Sequence, residues 1–313
     1  MKIGVCSRSF SRNGKLRSLL QEKYSDVKFN ESGKQYEGDE LTDFLLDRDA
    51  AIIGLEKINL EILKNLPKLK IISKYGVGLD MIDQNAMALE GRRLGWTPGV
   101  NKLAVAELAL SFALSLVRRT MVGNSSLIRG EWLQCIGGQL SGKTFGVIGC
   151  GNVGKELIRL LAPFNCKIIV FDRIEYSDFN AKFNVIKADL KFLLNESDII
   201  SIHLPLDSST SKLLSDDEFN EMKNNVMIVN TARGGIVSEE SLLKFMRSGK
   251  VSGAAFDVFE IEPATKNPLL LLDSFIGTPH IGGSSEEAIY EMGLAAIRGL
   301  ENNTVPLINM SES

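Results

Sequence analysis

Short apolar runs alternate with amphipathic stretches along almost the whole chain. The runs KIGVC (2–6), AAIIGL (50–55), KIISKY (70–75), TFGVIG (144–149), KIIVFD (167–172), DIISIHL (198–204), VMIVNT (226–231), GAAFDVF (253–259) and SFIGTP (274–279) have the length and β-branched content of strands. Between most of them lie helical patterns, such as DMIDQNAMALE (80–90), GKELIRLLAPF (154–164) and SEESLLKFMRS (238–248). Strands that are apolar on both faces and separated by helices predict parallel sheets covered on both sides: an α/β fold of doubly wound, Rossmann-like design. One segment departs from the rhythm. NKLAVAELALSFALSLVRRTMVGNSSLIR (101–129) is Ala/Leu-rich and apolar almost all round in its first half, which predicts a long helix buried between domains or subunits. A second αβ series starts after it, so it also marks a domain boundary.

Two glycine-rich stretches differ in meaning. GGQLSGKT (137–144) fits the letter pattern of a phosphate-binding P-loop, but a P-loop needs a strand before it and a helix after it. Here LIRGEWLQCI precedes and the strand pattern TFGVIG follows, so the match is a decoy. In TFGVIGCGNVGKELIRLL the glycines Gly149, Gly151 and Gly154 follow a strand and open a helix. Gly149 allows the tight turn, Gly151 lets the backbone approach a pyrophosphate, and Gly154 lets helix and strand pack closely. Asp172 ends the next apolar run, near the spacing expected of a carboxylate that holds a ribose 2′-hydroxyl. Such a carboxylate repels a 2′-phosphate and favours NAD over NADP, while the adjacent Arg173 partly offsets that preference.

Composition narrows the chemistry. The chain has 313 residues, 24% of them charged, a net charge of −3, two histidines and four cysteines. No basic run advertises nucleic acid, and no apolar stretch approaches the roughly 20 residues of a membrane span. Cys6, Cys135, Cys150 and Cys166 form no CxxC pair, so neither a disulfide scaffold nor a metal site is expected, and a cytoplasmic setting fits best. Cys150 lies inside the glycine turn, where oxidation would hinder cofactor binding. Three polar features end strands after the dinucleotide motif: Arg233; a carboxylate group of Asp257, Glu260 and Glu262; and His280. Ligands of open α/β sheets bind at such ends. An Arg there can grip a carboxylate and polarise the neighbouring carbonyl, a His can carry a proton, and a Glu can fix the imidazole tautomer. His203 also ends a strand, either lining the adenine side of the cofactor or serving the core.

Taken together, KYGVGLDMID, TPGVNKLAVAELAL, LSGKTFGVIGCGNVGKE, HLPLDSSTSKLL, NTARGGIVSEESLL, GAAFDVFEIEP and TPHIGGSSEEA make the chain resemble the D-isomer-specific 2-hydroxyacid dehydrogenases, most of all their phosphoglycerate dehydrogenase branch. The resemblance implies NAD as cofactor and interconversion of a D-2-hydroxy acid with its 2-oxo acid. 3-Phosphoglycerate is the first substrate it suggests, with reduction of glyoxylate, hydroxypyruvate or another 2-oxo acid as the alternative and an NADH-sensing corepressor as a third reading. It implies Arg233, Glu262 and His280 as the catalytic trio, with Glu260 the other candidate partner of His280. Asn152, Val153 and Asp172 would hold pyrophosphate and ribose. Thr231, Ala232 and Asp257 would hold the nicotinamide carboxamide, and Gly282 and Gly283 would let the backbone pass beside the ring. Val77 and Gly78 would meet the substrate carboxylate, and Lys74 a phosphate. The implied architecture is a substrate domain of residues 1–98 and 284–313, interrupted by an NAD-binding domain over 99–283. A cleft would close on substrate, and the long helix from Asn101 would make a homodimer contact. The length leaves no room for a regulatory extension, and Trp96 stands where asparagine is common.

Overall fold

In the computed structural model, residues 1–307 are described; the last six positions of the expected substrate domain, 308–313, lie outside the described residues. The chain divides into two compact units, one comprising Met1–Asn101 and the chain from Gly283 onward, the other Lys102–Gly282.

The first unit is built on a five-stranded, fully parallel sheet of order β2-β1-β3-β4-β5, where β1 is Lys2–Val5, β2 Asp26–Phe29, β3 Ala50–Ile53, β4 Ile71–Lys74 and β5 Arg93–Gly95. The central strand β3 is buried at every position, as expected when helices cover both faces. Helix Glu286–Gly299 belongs to this unit. Ser285 caps it by accepting the Ala288 N–H at 3.0 Å, and Glu286 and Glu287 fill its acidic first turn.

The second unit carries a seven-stranded parallel sheet of order β12-β11-β10-β9-β6-β7-β8. Here β6 is Thr144–Ile148, β7 Lys167–Phe171, β8 Ile186–Lys187, β9 Ile199–Ile202, β10 Val226–Asn230, β11 Val251–Phe256 and β12 Phe275–Gly277. Chain order reverses between β6 and β9, so the ends of these two strands mark the switch point at which open α/β sheets take their ligands. No helix follows Lys143 and Thr144; β6 begins there, so the decoy motif lacks the helix a phosphate loop requires.

The long Ala/Leu-rich segment differs from expectation. It is two helices, Lys102–Arg118 and Thr120–Ile128, broken at Arg119, which adopts a left-handed conformation (φ 54°). The first helix buries Val105, Ala106, Ala109, Phe112, Ala113, Leu116 and Val117 in its own unit's core, with Phe145, Val147, Leu157 and Val229, and packs on helix Asn152–Leu161. Its small, all-round apolar surface suits a helix sandwiched between a sheet and another helix. Apart from Leu103, the exposed large apolar side chains of this stretch come later: Met121, Leu127 and Ile128 in the second helix, and Trp132, Leu133 and Ile136 in the irregular segment after it. Among the described residues no helix is long and apolar enough to cross a membrane.

Candidate active site

The glycine turn and its surroundings fit a dinucleotide. Gly149 has φ 95°, and a Cβ there would lie 2.7 Å from the His203 carbonyl oxygen. A Cβ at Gly154 would lie 2.1 Å from the Gly149 oxygen, so the helix can meet the turn only with glycine at that position. Gly151 faces open space and caps helix Asn152–Leu161, leaving the first-turn N–H groups at Asn152 and Val153 available to an anion. Asp172, just after β7, accepts the Cys150 N–H (2.6 Å) and the Ile174 N–H (2.8 Å), which fixes its carboxylate beside the turn. The Cys150 thiol is buried, and burial pushes its pKa up to about 11. So little thiolate exists at neutral pH that the expected sensitivity to oxidation is not supported. His203 belongs to the supporting core: its Nε2 pairs with Ser201 Oγ at 2.8 Å, its Nδ1 is buried, and burial pushes it down to about 3, keeping it neutral.

The sequence candidates Arg233, Glu262 and His280 come together past the ends of β10, β11 and β12. Glu262 Oε2 lies 2.9 Å from His280 Nδ1, while Glu262 Oε1 accepts the Phe259 N–H at 3.1 Å. Glu260 is engaged elsewhere, exchanging hydrogen bonds with Glu239, so it is Glu262 that pairs with the imidazole. That hydrogen bond lifts His280 above its ordinary pKa, aided by the charges of Glu262 and Asp257 and opposed by burial and Arg233. Burial pushes the Glu262 carboxyl up, but the His280 hydrogen bond and charge, the Phe259 N–H and Arg233 outweigh it and leave it below the usual carboxylate range. The side chains of His280 and Glu262 are 43% and 38% exposed, so the pair remains within reach of a small molecule.

The backbone around the trio is held by Asp257, which the sequence singles out, and by Asn230 and Thr278, which it does not. Asn230, the last residue of β10, accepts the Ala232 N–H and donates to the Arg233 carbonyl, folding the chain so that half-buried Arg233 leaves the strand. A Cβ on Gly234 would sit 1.9 Å from the Phe259 oxygen, so glycine at this position lets the Arg233 loop touch the loop that carries Glu262. Asp257 is 1% exposed and braces the histidine loop: Oδ1 accepts Thr278 Oγ1–H (2.5 Å) and the Ile281 N–H (2.7 Å), and Oδ2 the Gly282 N–H (2.7 Å). Its backbone oxygen accepts the His280 N–H (2.9 Å), and His280 itself is left-handed at φ 54°. Thr231 Oγ1 is buried and has no hydrogen-bond partner, a polar atom at the strand end that a carboxamide could satisfy. Gly282 gives room beside Asp257, and Gly283 lies against Asn101.

Residues 110–282 match the family model described as D-isomer specific 2-hydroxyacid dehydrogenase, NAD binding domain. This chain belongs to that family. It is 37% identical to the hydroxypyruvate reductase of Thermotoga maritima over 85% of this chain and 88% of that one. It is 34% identical to the glyoxylate reductase of Thermococcus litoralis over 85% and 84%. Against the D-3-phosphoglycerate dehydrogenase of Methanocaldococcus jannaschii it is 36% identical over 80% of this chain but 48% of the relative, so it spans about half the length of that protein. A glyoxylate reductase structure from Paecilomyes thermophila superposes with a TM-score of 0.86 at 25% identity, covering 96% and 94% of the two chains. Family membership makes the chain an NAD-dependent oxidoreductase of the 2-hydroxyacid dehydrogenase type, and its Lys102–Gly282 unit contains the matched NAD-binding domain.

Three further candidates lie in the other unit. Val77 and Gly78 follow β4, and the Val77 carbonyl accepts the Trp96 Nε1–H at 2.9 Å. Lys74 is 4% exposed; its ammonium donates to the Gly54 carbonyl and, at 3.2 Å, to that of Tyr75.

Proposed function

We propose that this protein uses NADH to reduce small, unphosphorylated 2-oxo acids of the hydroxypyruvate and glyoxylate type to D-2-hydroxy acids, with Arg233, Glu262 and His280 as its catalytic residues. The observation that carries the reading is the 2.9 Å His280–Glu262 pair beside Arg233. Protonated His280 donates its Nε2 proton to the carbonyl oxygen as that oxygen gains electrons. Glu262 keeps Nδ1 protonated and stabilises the imidazolium. Arg233 binds the substrate carboxylate and polarises the adjacent carbonyl, assisted by backbone N–H groups at Val77 and Gly78. Gly149, Gly151, Asn152, Val153, Gly154 and Asp172, with Thr231, Ala232, Asp257, Gly282 and Gly283, would hold the cofactor, which would supply the hydride when bound. In the oxidative direction neutral His280 takes the hydroxyl proton.

A phosphorylated substrate would need a cation turned to solvent near the substrate. Lys74 is instead buried with its ammonium on two carbonyls, which supports the unphosphorylated class over 3-phosphohydroxypyruvate. We also propose a homodimer, resting on the apolar arm after Arg119: Ile128, Trp132 and Ile136 are 77%, 83% and 90% exposed, large apolar side chains close together in the chain that a second copy would cover. NADH oxidation against a panel of 2-oxo acids tests the activity. Hydroxypyruvate and glyoxylate are expected to turn over, and His280→Gln to lose two or more orders of magnitude, on the order of a general acid's contribution, while NADH binding persists. Wild-type rates in His280→Gln would overturn the assignment.

A further inference from the structure

Glu262 rides on an exposed loop. Phe259 and Leu269, at 8% and 0% exposure, are held in the core, but no residue between them is buried, and Ile261 is 80% exposed. A restraint on this loop comes from a neighbouring helix. Glu239 is the first residue of helix Glu239–Arg247, whose Leu242, Phe245 and Met246 are buried in the core of the Lys102–Gly282 unit. Its half-buried carboxylate takes one donor from each end of the loop. Oε1 accepts the Glu260 N–H at 2.7 Å, and Oε2 accepts Asn267 Nδ2–H at 2.6 Å. Glu260 returns the contact, its Oε1 accepting the Glu239 N–H at 3.2 Å. Asn267 accepts the Leu269 N–H at 3.0 Å, which ties the far end of the loop to the buried segment. One carboxylate on a core-anchored helix therefore bridges the exposed chain from Glu260 to Asn267, and Glu262 lies between its two contacts.

We infer that Glu239 is a positioning residue of the reductase: by clamping both ends of the loop, it holds Glu262 within hydrogen-bonding reach of His280. This rests on the catalytic reading above and deepens it. Hydrogen bonds to an ionised acceptor are roughly twice as strong as neutral ones, so two of them from one carboxylate make a firm clamp. The Glu262–His280 bond depends on the clamp because hydrogen bonds weaken steeply when misdirected. A misplacement of about 1 Å in an active site can cost up to about 100-fold in rate. Both ends of the clamp need the carboxylate: a glutamine oxygen can accept from Glu260 or from Asn267, and its NH2 opposes the other donor.

The test is the pH profile of kcat and kcat/KM for hydroxypyruvate reduction in the wild-type protein, Glu239→Ala, Glu239→Gln, Glu262→Gln and the double variant of Glu239→Ala with Glu262→Gln. The charged groups that face His280 are Glu262, Asp257 and Arg233, and those that face Glu262 are His280 and Arg233. In Glu239→Ala kcat is expected to fall roughly tenfold, the scale of one charge-assisted hydrogen bond. The basic limb of kcat/KM should move to lower pH, because His280 is raised by its bond to Glu262. NADH affinity, read by fluorescence, should be unchanged. Glu239→Gln keeps one acceptor and should lie between wild type and Glu239→Ala; it carries the test alone if Glu239→Ala does not fold. In the double variant the limb should stay where Glu262→Gln puts it, since residues acting through one contact do not add. A limb that Glu262→Gln moves but the Glu239 variants leave in place overturns the inference and keeps the catalytic reading. So does a limb that moves further in the double variant. A limb that Glu262→Gln itself leaves in place overturns the catalytic reading, and the inference with it.

Discussion

Replacing Glu262 by glutamine removes one charge and one acceptor from the proposed acid. The carboxylate serves two donors at once, His280 Nδ1–H through Oε2 and the Phe259 N–H through Oε1. A glutamine carbonyl can serve only one of them, and its NH2 meets the other donor head on. A hydrogen bond to a charged partner contributes about 1.5–3 kcal/mol, against about 1 for a neutral pair. With side chains 43% and 38% exposed, solvent screening favours the low end of that range. The imidazolium then loses roughly 1–1.5 kcal/mol of stabilisation, close to a tenfold fall in the rate of reduction. The direction with pH follows from the same contact. His280 is raised by Glu262, so reduction, which needs the imidazolium, is lost as pH rises through that raised pKa. In Glu262→Gln the basic limb of kcat/KM for hydroxypyruvate should move to lower pH. The pair's contribution to folding has its own window. The Glu262 part is lost as pH falls through its lowered pKa, and the His280 part as pH rises through its raised one, so the variant's stability should vary less with pH. The assay is stopped-flow NADH oxidation across pH, with NADH affinity measured separately by fluorescence. A basic limb that stays in place, or moves up, would refute the coupling.

Other consequences can be measured directly. Gly154→Ala forces a methyl group onto the Gly149 oxygen, and it should cost about 1–3 kcal/mol of stability and much of the NADH affinity, read by thermal melting and fluorescence titration. Trp96→Phe removes the indole hydrogen bond to the Val77 carbonyl. It should raise KM for the 2-oxo acid about fivefold, the worth of one such bond, with kcat and NADH affinity little changed. A loss confined to kcat would count against Trp96 as a brace of that loop. Trp132→Ser combined with Ile136→Ser should shift the protein toward monomer in light scattering at micromolar concentration, and an unchanged mass would place the dimer contact elsewhere.

The apolar rhythm of the sequence located the inner strands because they are buried on both faces and read as continuous runs. The strands it missed, β2, β5 and β8, all lie at sheet edges. They are short and partly exposed, and β8 is exposed at both positions, so no apolar run marks them. The break at Arg119 was illegible for another reason: neither proline nor glycine marks it, and an arginine adopts the left-handed turn. At the site, the glycine spacing and the strand-end polar residues were readable because their chemistry is tied to residue type. Which of two glutamates meets His280 was not, since Glu260 and Glu262 share a loop and only the bonds to Glu239 and Phe259 separate them. The bracing of the histidine loop by Asp257 and Thr278 was equally hidden, because it depends on contacts across β11 and β12 rather than on any motif.

The glycine turn and the trio all belong to Lys102–Gly282, whereas Val77 and Gly78 belong to the other unit. The reacting groups and part of the proposed substrate contacts are thus encoded in separable parts of the gene. Exchange needs only two joints, after Asn101 and after Gly282. A graft of the flanking unit from a relative of different preference would redirect the enzyme without altering a single residue that carries a proton or binds NAD through the glycine turn. Recombination at these joints is therefore a shorter route to a new substrate than stepwise change around His280, where Asp257 ties down the residues on both sides.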